Sequence, residues 1–362
     1  MNYLIGILSI VFLALAFAVI SKSAGLSNKL KGGENENSPL DSTNNTNAIG
    51  FIIFWLLGTV LGSWSFLKSR PNFLPEAASE HGLVTDKMFW VSMAIVTLAF
   101  FVTNTLLMFF AFAYRHKKGN QATFYPVNHK LEIIWTIVPA VVMAVLVFTG
   151  WRTWRDITGP APSVSEVIEI TGHQFGWYVR YGGNDDQELG NSNYKLIDDT
   201  NSIGIDMTDK NSYDDFTATE LHLPKGKPVL LKIKAQDVLH SVYLPYHRVK
   251  MDAVPGMPTR FWFTPTVSTD EMRAKLNNPD FNFKLNCTEI CGRGHFGMAI
   301  TVFVDEPADY EKWKKEQKPF LTLNPTYLDK VPANLKAKAS KYISAEPVAA
   351  DSTATEEAVS LK

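Results

Sequence analysis

Four apolar stretches fall within the first 151 residues, and they constrain the fold more than anything else in the chain. Tyr3 to Ile20, Phe51 to Leu67, Phe89 to Tyr114 and Ile133 to Trp151 each approach the roughly 20 residues that carry a helix across a bilayer. In lipid, the backbone must satisfy its hydrogen bonds within the segment or by barrel closure, so runs of this length are expected as helices. The bulk figures hide this division, since a hydrophobic content of 46% and a formal net charge of -1 also suit a soluble protein. That charge balance gives no reason to expect a nucleic-acid partner.

The flanking charges orient the spans. Lys22, Lys29 and Lys31 follow the first stretch and nothing basic precedes it, an order that favours an uncleaved anchor with its N-terminus outside over a cleaved signal peptide. Arg115-His116-Lys117-Lys118 after the third stretch belongs in the cytoplasm by the positive-inside rule, which puts everything after Trp151 outside. Trp151, Arg152, Trp154 and Arg155 then form an interfacial belt at that exit, aromatic rings at the headgroups and cations snorkelling to water.

Beyond the membrane the pattern changes to short β-branched and aromatic runs between Pro and Gly turns: Val167 to Ile170, Val229 to Ala235, Thr259 to Phe263, Phe281 to Leu285 and Met298 to Val304. No long amphipathic helix interrupts them before Pro307, so the expected architecture is an antiparallel sandwich or Greek-key barrel.

Both cysteines of the chain lie in Cys287-Thr-Glu289-Ile-Cys291-Gly-Arg-Gly-His295-Phe-Gly-Met298. Two thiolates, an imidazole and a thioether make a soft donor set that selects copper, and cysteines four apart can bridge two metal ions. A second imidazole is needed, and His240 in Asp237-Val-Leu-His240-Ser is the best candidate. A Cys287 to Cys291 disulfide is the alternative for an extracytoplasmic pair, and zinc, which has little use for Met298, is a lesser one. Gly292, Gly294 and Gly297 argue against a helix here and for a loop between strands.

The motif C-x-E-x-C-x3-H-x2-M resembles that of subunit II of haem-copper cytochrome c oxidases, at every ligand position, and the resemblance extends roughly from Met88 to Pro307. It implies a cupredoxin barrel carrying a dinuclear copper centre, CuA, behind the transmembrane helices. Cys287 and Cys291 would bridge both coppers, His240 and His295 would ligate one each, Met298 would be a weak axial ligand, and Glu289 would bind through its backbone carbonyl. The Glu289 side chain would also touch magnesium at the border with subunit I. Implied partners are oxidase subunits I and III, a soluble or membrane-tethered cytochrome c and the lipid bilayer. The implied location is a bacterial cytoplasmic membrane, multi-pass, with the copper domain periplasmic.

The resemblance also bears on residues outside the ligand motif. Glu132, in a stretch similar to a family signature, would open a proton-uptake route, against the simpler reading of a solvated interfacial acid. In Gly172-His173-Gln174-Phe175-Gly176-Trp177 the family's electron-entry Trp is replaced by Phe175, which suggests a differently docked donor; Phe175 and Trp177 mark the entry region, although Trp177 and Tyr178 read first as packing. His173 reads as a structural histidine and His247 as an exposed one. Asp237 and Asp252 resemble acids near the docking face, or cap turns.

The expected organisation is an N-terminal extension over 1–87, a two-helix anchor over 88–155, the copper domain over 156–307 and a partly disordered tail over 308–362. Within the copper domain, 182–220 carries ten acidic residues against Lys195 and Lys210, the composition of a flexible surface insertion that could steer a basic cytochrome. Tyr310 to Gln317 is expected as a short surface helix, and disorder from Lys336 onward. The absence of C-x-x-C-H excludes a covalently attached haem c in this sequence. Two other functions compete with the oxidase: a copper-free structural subunit of a quinol oxidase, disfavoured by the full ligand set, and the CuA-bearing subunit of another membrane reductase.

Overall fold

The computed structural model describes residues 11, 12, 15, 16, 18–20, 22, 23, 40–117, 121–183 and 188–343. Three long helices occupy the N-terminal part: α1 (Leu40–Ser69), α2 (Glu80–Ala113) and α3 (His129–Thr158). Each is long and apolar enough to cross a membrane, and none of its most apolar stretch is buried by protein. A helix that is apolar all round finds its partner in lipid or in other helices. These are the second, third and fourth of the expected spans; Tyr3 to Ile20 lies largely outside the described residues. Helix α3 begins where the Asn128 side chain accepts a hydrogen bond from the Leu131 N–H at 3.1 Å, satisfying one of the helix's orphan donors.

The chain divides into two compact units, Met1–Lys68 with Thr97–Val127 and Ser69–Val96 with Asn128–Lys362. In the larger unit the β domain contains two five-stranded sheets, ordered β3-β2-β1-β5-β8 and β4-β10-β9-β6-β7. The first comprises β1 (Glu166–His173), β2 (Gly176–Tyr181), β3 (Phe216–Ala218), β5 (Val229–Ala235) and β8 (Thr259–Phe263). The second comprises β4 (Leu221–Pro224), β6 (His240–Leu244), β7 (Val249–Ala253), β9 (Phe283–Cys287) and β10 (Ala299–Asp305). Both sheets turn alternate residues into one core; Val229, Leu231 and Ile233 of β5 meet Val242, Leu285, Val302 and Val304 of the second sheet. The result is the cupredoxin-like all-β domain expected behind the membrane helices.

The pairing is not wholly antiparallel as the sequence suggested. β1 runs parallel to β5, and β4 parallel to β10. A parallel neighbour requires a long crossover, and the chain between β1 and β5 supplies it through β2, the acidic insertion, β3 and β4.

That insertion is no flexible loop among its described residues. Ile203, Ile205, Met207 and Tyr213 form a second buried cluster with Phe320, Leu321, Tyr327, Val331 and Ala339. The C-terminal stretch is thus packed to at least Ala339, and Lys336 opens a helical turn instead of a disordered tail. Many of the insertion's acids are spent on folding it: Asp198 accepts from Tyr327 Oη at 2.5 Å and pairs with Lys330 at 3.0 Å, while Asp209 caps the Asn211 N–H at 3.0 Å. After the capped helix α4 (Thr269–Leu276), the expected short surface helix is present as α5 (Pro307–Glu316), but one face of it is anchored, with Tyr310 and Lys314 buried and Lys314 paired to the buried Glu166 at 2.7 Å.

The connection between α1 and α2 is stitched to the barrel. The Ala78 N–H donates to Tyr246 O at 2.7 Å, the Thr266 N–H donates to Ala78 O at 2.9 Å, and Ser79 Oγ donates to His247 O at 2.7 Å. Arg248 grips both Asp86 oxygens at 2.8 Å and also donates to Pro75 O. At the other attachment, Ile157 in the last turn of α3 packs against the barrel core. The start of α2 and the end of α3 are therefore both held against the barrel.

Candidate metal centre

His240 opens β6 and Cys287 closes β9, and because these strands pair antiparallel with Val242 opposite Cys287, both residues arrive at one end of the second sheet. The loop from Thr288 to Met298 folds back on the same end, closed by the Cys287 N–H donating to Met298 O at 3.1 Å. Gly292 sits at φ +132°, a conformation that L side chains rarely adopt. A one-turn 3-10 segment, His295–Gly297, then turns Met298 inward.

Six donors converge. Cys287 Sγ lies 3.9 Å from His240 Nδ1 and 3.2 Å from Glu289 O. Cys291 Sγ lies 3.5 Å from His295 Nδ1 and 3.7 Å from Met298 Sδ. His240 and both thiols offer ligand atoms within 4.8 Å of one another, and all three residues are buried. Neither cysteine is in a disulfide. Burial, reinforced by the neighbouring Cys287, pushes the Cys291 thiol up to about 11. A thiol so held keeps its proton unless a cation displaces it. The set contains soft sulfur, two imidazoles and a carbonyl, which fits copper.

A surrounding shell orients the donors. Asp237 Oδ1 takes a hydrogen bond from His240 Nε2 at 2.9 Å, which leaves Nδ1 facing Cys287. Burial raises the Asp237 carboxyl, but His240 and the N–H groups of Gln174 and Val238 outweigh it and hold the group below its ordinary range. Trp177, buried as expected, sets its ring edge-on to His240 with centroids 5.9 Å apart. Phe175 is exposed, its ring against Gly292 and Gly294 of the metal-loop backbone. Around the loop, Ile290 and Phe296 are 84% and 93% exposed.

The remaining expected residues lie outside this cluster. His173 stacks on Tyr178 at 4.2 Å, and burial lowers its pKa. Asp252 accepts from Ser241 Oγ at 2.7 Å, the turn-fixing alternative. His247 is a correction: it is buried between Phe263 and Phe283, and burial depresses it to about 3. Its flanking polar residues suggested a surface position, but they turn aside through Arg248 in the left-handed conformation at φ 55°. Glu132 sits in the first turn of α3, roughly 40 Å along the helix from the barrel end, accepting from the Asn128 N–H at 3.3 Å and lying 3.2 Å from His129 Nδ1. Sequence reasoning missed Gln174, whose side-chain amide donates to Cys291 O; nothing local in the sequence links residues so far apart.

The family model for the cytochrome c oxidase subunit II transmembrane domain matches residues 48–152, and that for its periplasmic domain matches residues 166–304. The alternative cytochrome c oxidase subunit 2 of Bradyrhizobium diazoefficiens is 34% identical over 278 residues, which span 74% of this chain and 92% of that protein. The chain belongs to the cytochrome c oxidase subunit II family. Another family member, cytochrome c oxidase subunit 2 of Thermostichus vulcanus, is 26% identical over 318 residues, covering 73% of this chain and 84% of its own. The periplasmic domain of subunit II of cytochrome oxidase (CoxB) of Bradyrhizobium japonicum, 21% identical, aligns over 43% of this chain and 95% of its own with a TM-score of 0.28. The subunit II transmembrane match takes in Phe51 to Leu67, which the sequence reading had set apart as an addition to a two-helix anchor.

Proposed function

We propose that this subunit II family member is the electron-entry subunit of a cytochrome c oxidase, accepting electrons from a cytochrome c for delivery to the haem of subunit I, where oxygen is reduced with coupled proton translocation. The observation that carries this reading is the convergence of His240, Cys287, Glu289 O, Cys291, His295 and Met298 at one end of the barrel. These residues would hold a dinuclear copper, which when bound supplies a one-electron acceptor that rearranges little between its oxidation states. The chain's part is to keep that position dry and rigid: the cysteines, His240 and Met298 are buried, and Asp237 fixes the His240 ring.

Phe175 and Trp177 are read as the donor-facing approach, one ring exposed on the metal loop and the other buried on His240. Glu132 is read as the collector of protons at the opposite membrane face, and the Glu289 side chain as a magnesium contact toward subunit I. The membrane would be the bacterial cytoplasmic membrane, with the barrel periplasmic and subunits I and III beside the helices.

The test is copper content and electron paramagnetic resonance of the full chain purified from membranes. Two coppers sharing one unpaired electron, lost in Cys291→Ser, are expected; one zinc, or a Cys287 to Cys291 disulfide, would refute the reading. Phe175→Trp should alter the rate of electron transfer from soluble cytochrome c, and an unchanged rate would remove Phe175 from the donor approach.

A further inference from the structure

The short turn between β1 and β2 touches both loops that carry the candidate ligands. The backbone N–H of Gln174 donates to Asp237 Oδ2 at 2.7 Å, and the other oxygen of that carboxylate holds His240. The Gln174 side-chain amide reaches the opposite way and donates to the carbonyl of Cys291. One residue thus ties the loop before β6 to the loop after β9.

The backbone around Cys291 is shaped to receive this turn. A Cβ on Gly292 would lie 2.9 Å from Gln174 Nε2 and 3.0 Å from Phe175 Cε1, and a Cβ on Gly294 would lie 2.5 Å from Phe175 Cγ. Real Cβ atoms essentially never approach a ring as closely as 2.5 Å, so the metal loop packs on Phe175 as it does because Gly294 has no side chain, and a Cβ on Gly292 would push the Gln174 amide aside. Elsewhere in the loop Gly297 has open space around it, so crowding is confined to the face that meets the turn.

We infer that Gln174 is a positioning residue for the metal centre, a brace that fixes the distance between the His240 loop and the Cys287–Met298 loop, with Phe175 wedged against the glycines to hold the brace seated. The inference rests on the copper reading above. Gln174 meets no metal itself; it acts through the Cys291 peptide and through Asp237. Outer partners of this sort are worth about ten- to a hundredfold in metal affinity.

Gln174→Met preserves side-chain length and removes the donor, and Gly294→Ala displaces the Phe175 ring. Both are made in the full-length chain and titrated with copper against a competing chelator, alongside the wild type. The expected result is a ten- to a hundredfold fall in apparent copper affinity in each variant, with an altered hyperfine pattern. In Gln174→Met the midpoint potential should also fall, because the lost N–H dipole no longer favours the added electron. The copper-free melting temperature of Gln174→Met should remain that of the wild type. Wild-type affinity, spectrum and potential in Gln174→Met would overturn the brace while leaving the copper reading intact, as would a fall in copper-free stability with copper binding unchanged. A wild-type chain that lacks the paired-copper signal would remove both.

Discussion

Replacing Arg180 by Met should loosen the acidic insertion while leaving the barrel folded. Arg180 is 1% exposed, and its guanidinium lies 3.0 Å from Glu169 Oε1, 3.0 Å from Asp215 Oδ2 and 3.0 Å from Gly190 O. Met keeps the apolar stem and removes all three contacts. Glu169 retains Lys234 at 2.5 Å, whereas Asp215 is left with the Gly190 N–H at 3.1 Å and no cation. At pH 8, above the value of about 7 to which burial raises Asp215, the pair is charged, and breaking it from one side costs about 3–5 kcal/mol. Gly190 and Asp215 bracket the insertion, so lifting it into water hydrates Asp215 and recovers much of that cost. The opening equilibrium of residues 188–215 should rise between about a hundredfold and a few thousandfold. Amide hydrogen exchange of the full chain reads this directly, since local opening sets the protection of each segment. Protection should collapse over 188–215 and persist over β5, β9 and β10. Protection of 188–215 equal to the wild type would refute the claim that this guanidinium fastens the insertion.

Asp215 is pushed up to about 7, chiefly by burial, against an ordinary value of 3.8. The folded insertion therefore keeps a proton that the open form has already lost between those values, and its stability should fall as pH rises from about 4 to about 7. Exchange corrected for intrinsic rate should show that slope in the wild type and its loss in Asp215→Asn. His247 behaves in the opposite sense: depressed from 6.5 to about 3, it leaves the folded barrel uncharged while the unfolded chain takes a proton, so stability is lost as pH falls from about 6.5 toward 3. His247→Leu should flatten that acid loss in thermal melts, with little change at pH 8, because Nε2 has no partner to forfeit. Arg248→Ala removes the grip on Asp86 and Pro75, and proteolysis between residues 73 and 80 should quicken about tenfold or more while copper binding persists.

The convergence of the candidate donors was legible because most of them are local: five of the six candidate ligand residues lie between Cys287 and Met298, and only His240 had to come from another strand. The membrane helices were legible because a bilayer demands long, unbroken apolar runs. Five strands emerged from their alternation, but β3 and β4 are three and four residues long, too short to carry a period. The insertion was misread for a physical reason. Its acids imitate a solvated surface, yet Asp215 is buried on Arg180 and Asp198 is held by Tyr327 and Lys330, and a partner supplied from another part of the chain leaves no trace in local composition. His247 was misread likewise, because burial of a histidine between Phe263 and Phe283 depends on which strands pair.

The stitching of Ala78, Ser79 and Arg248 at one side of the barrel, with Ile157 entering its core at another, gives the domain two footings on the membrane. A domain on a single tether can swivel, and the gap between its redox centre and the next carrier then varies with every swing. Two footings fix its bearing. Electron tunnelling weakens steeply with distance, so under the electron-entry role proposed above a mount of this kind would turn an average separation into a constant one, and the rate of the onward hop would be a property of the architecture instead of the domain's momentary pose.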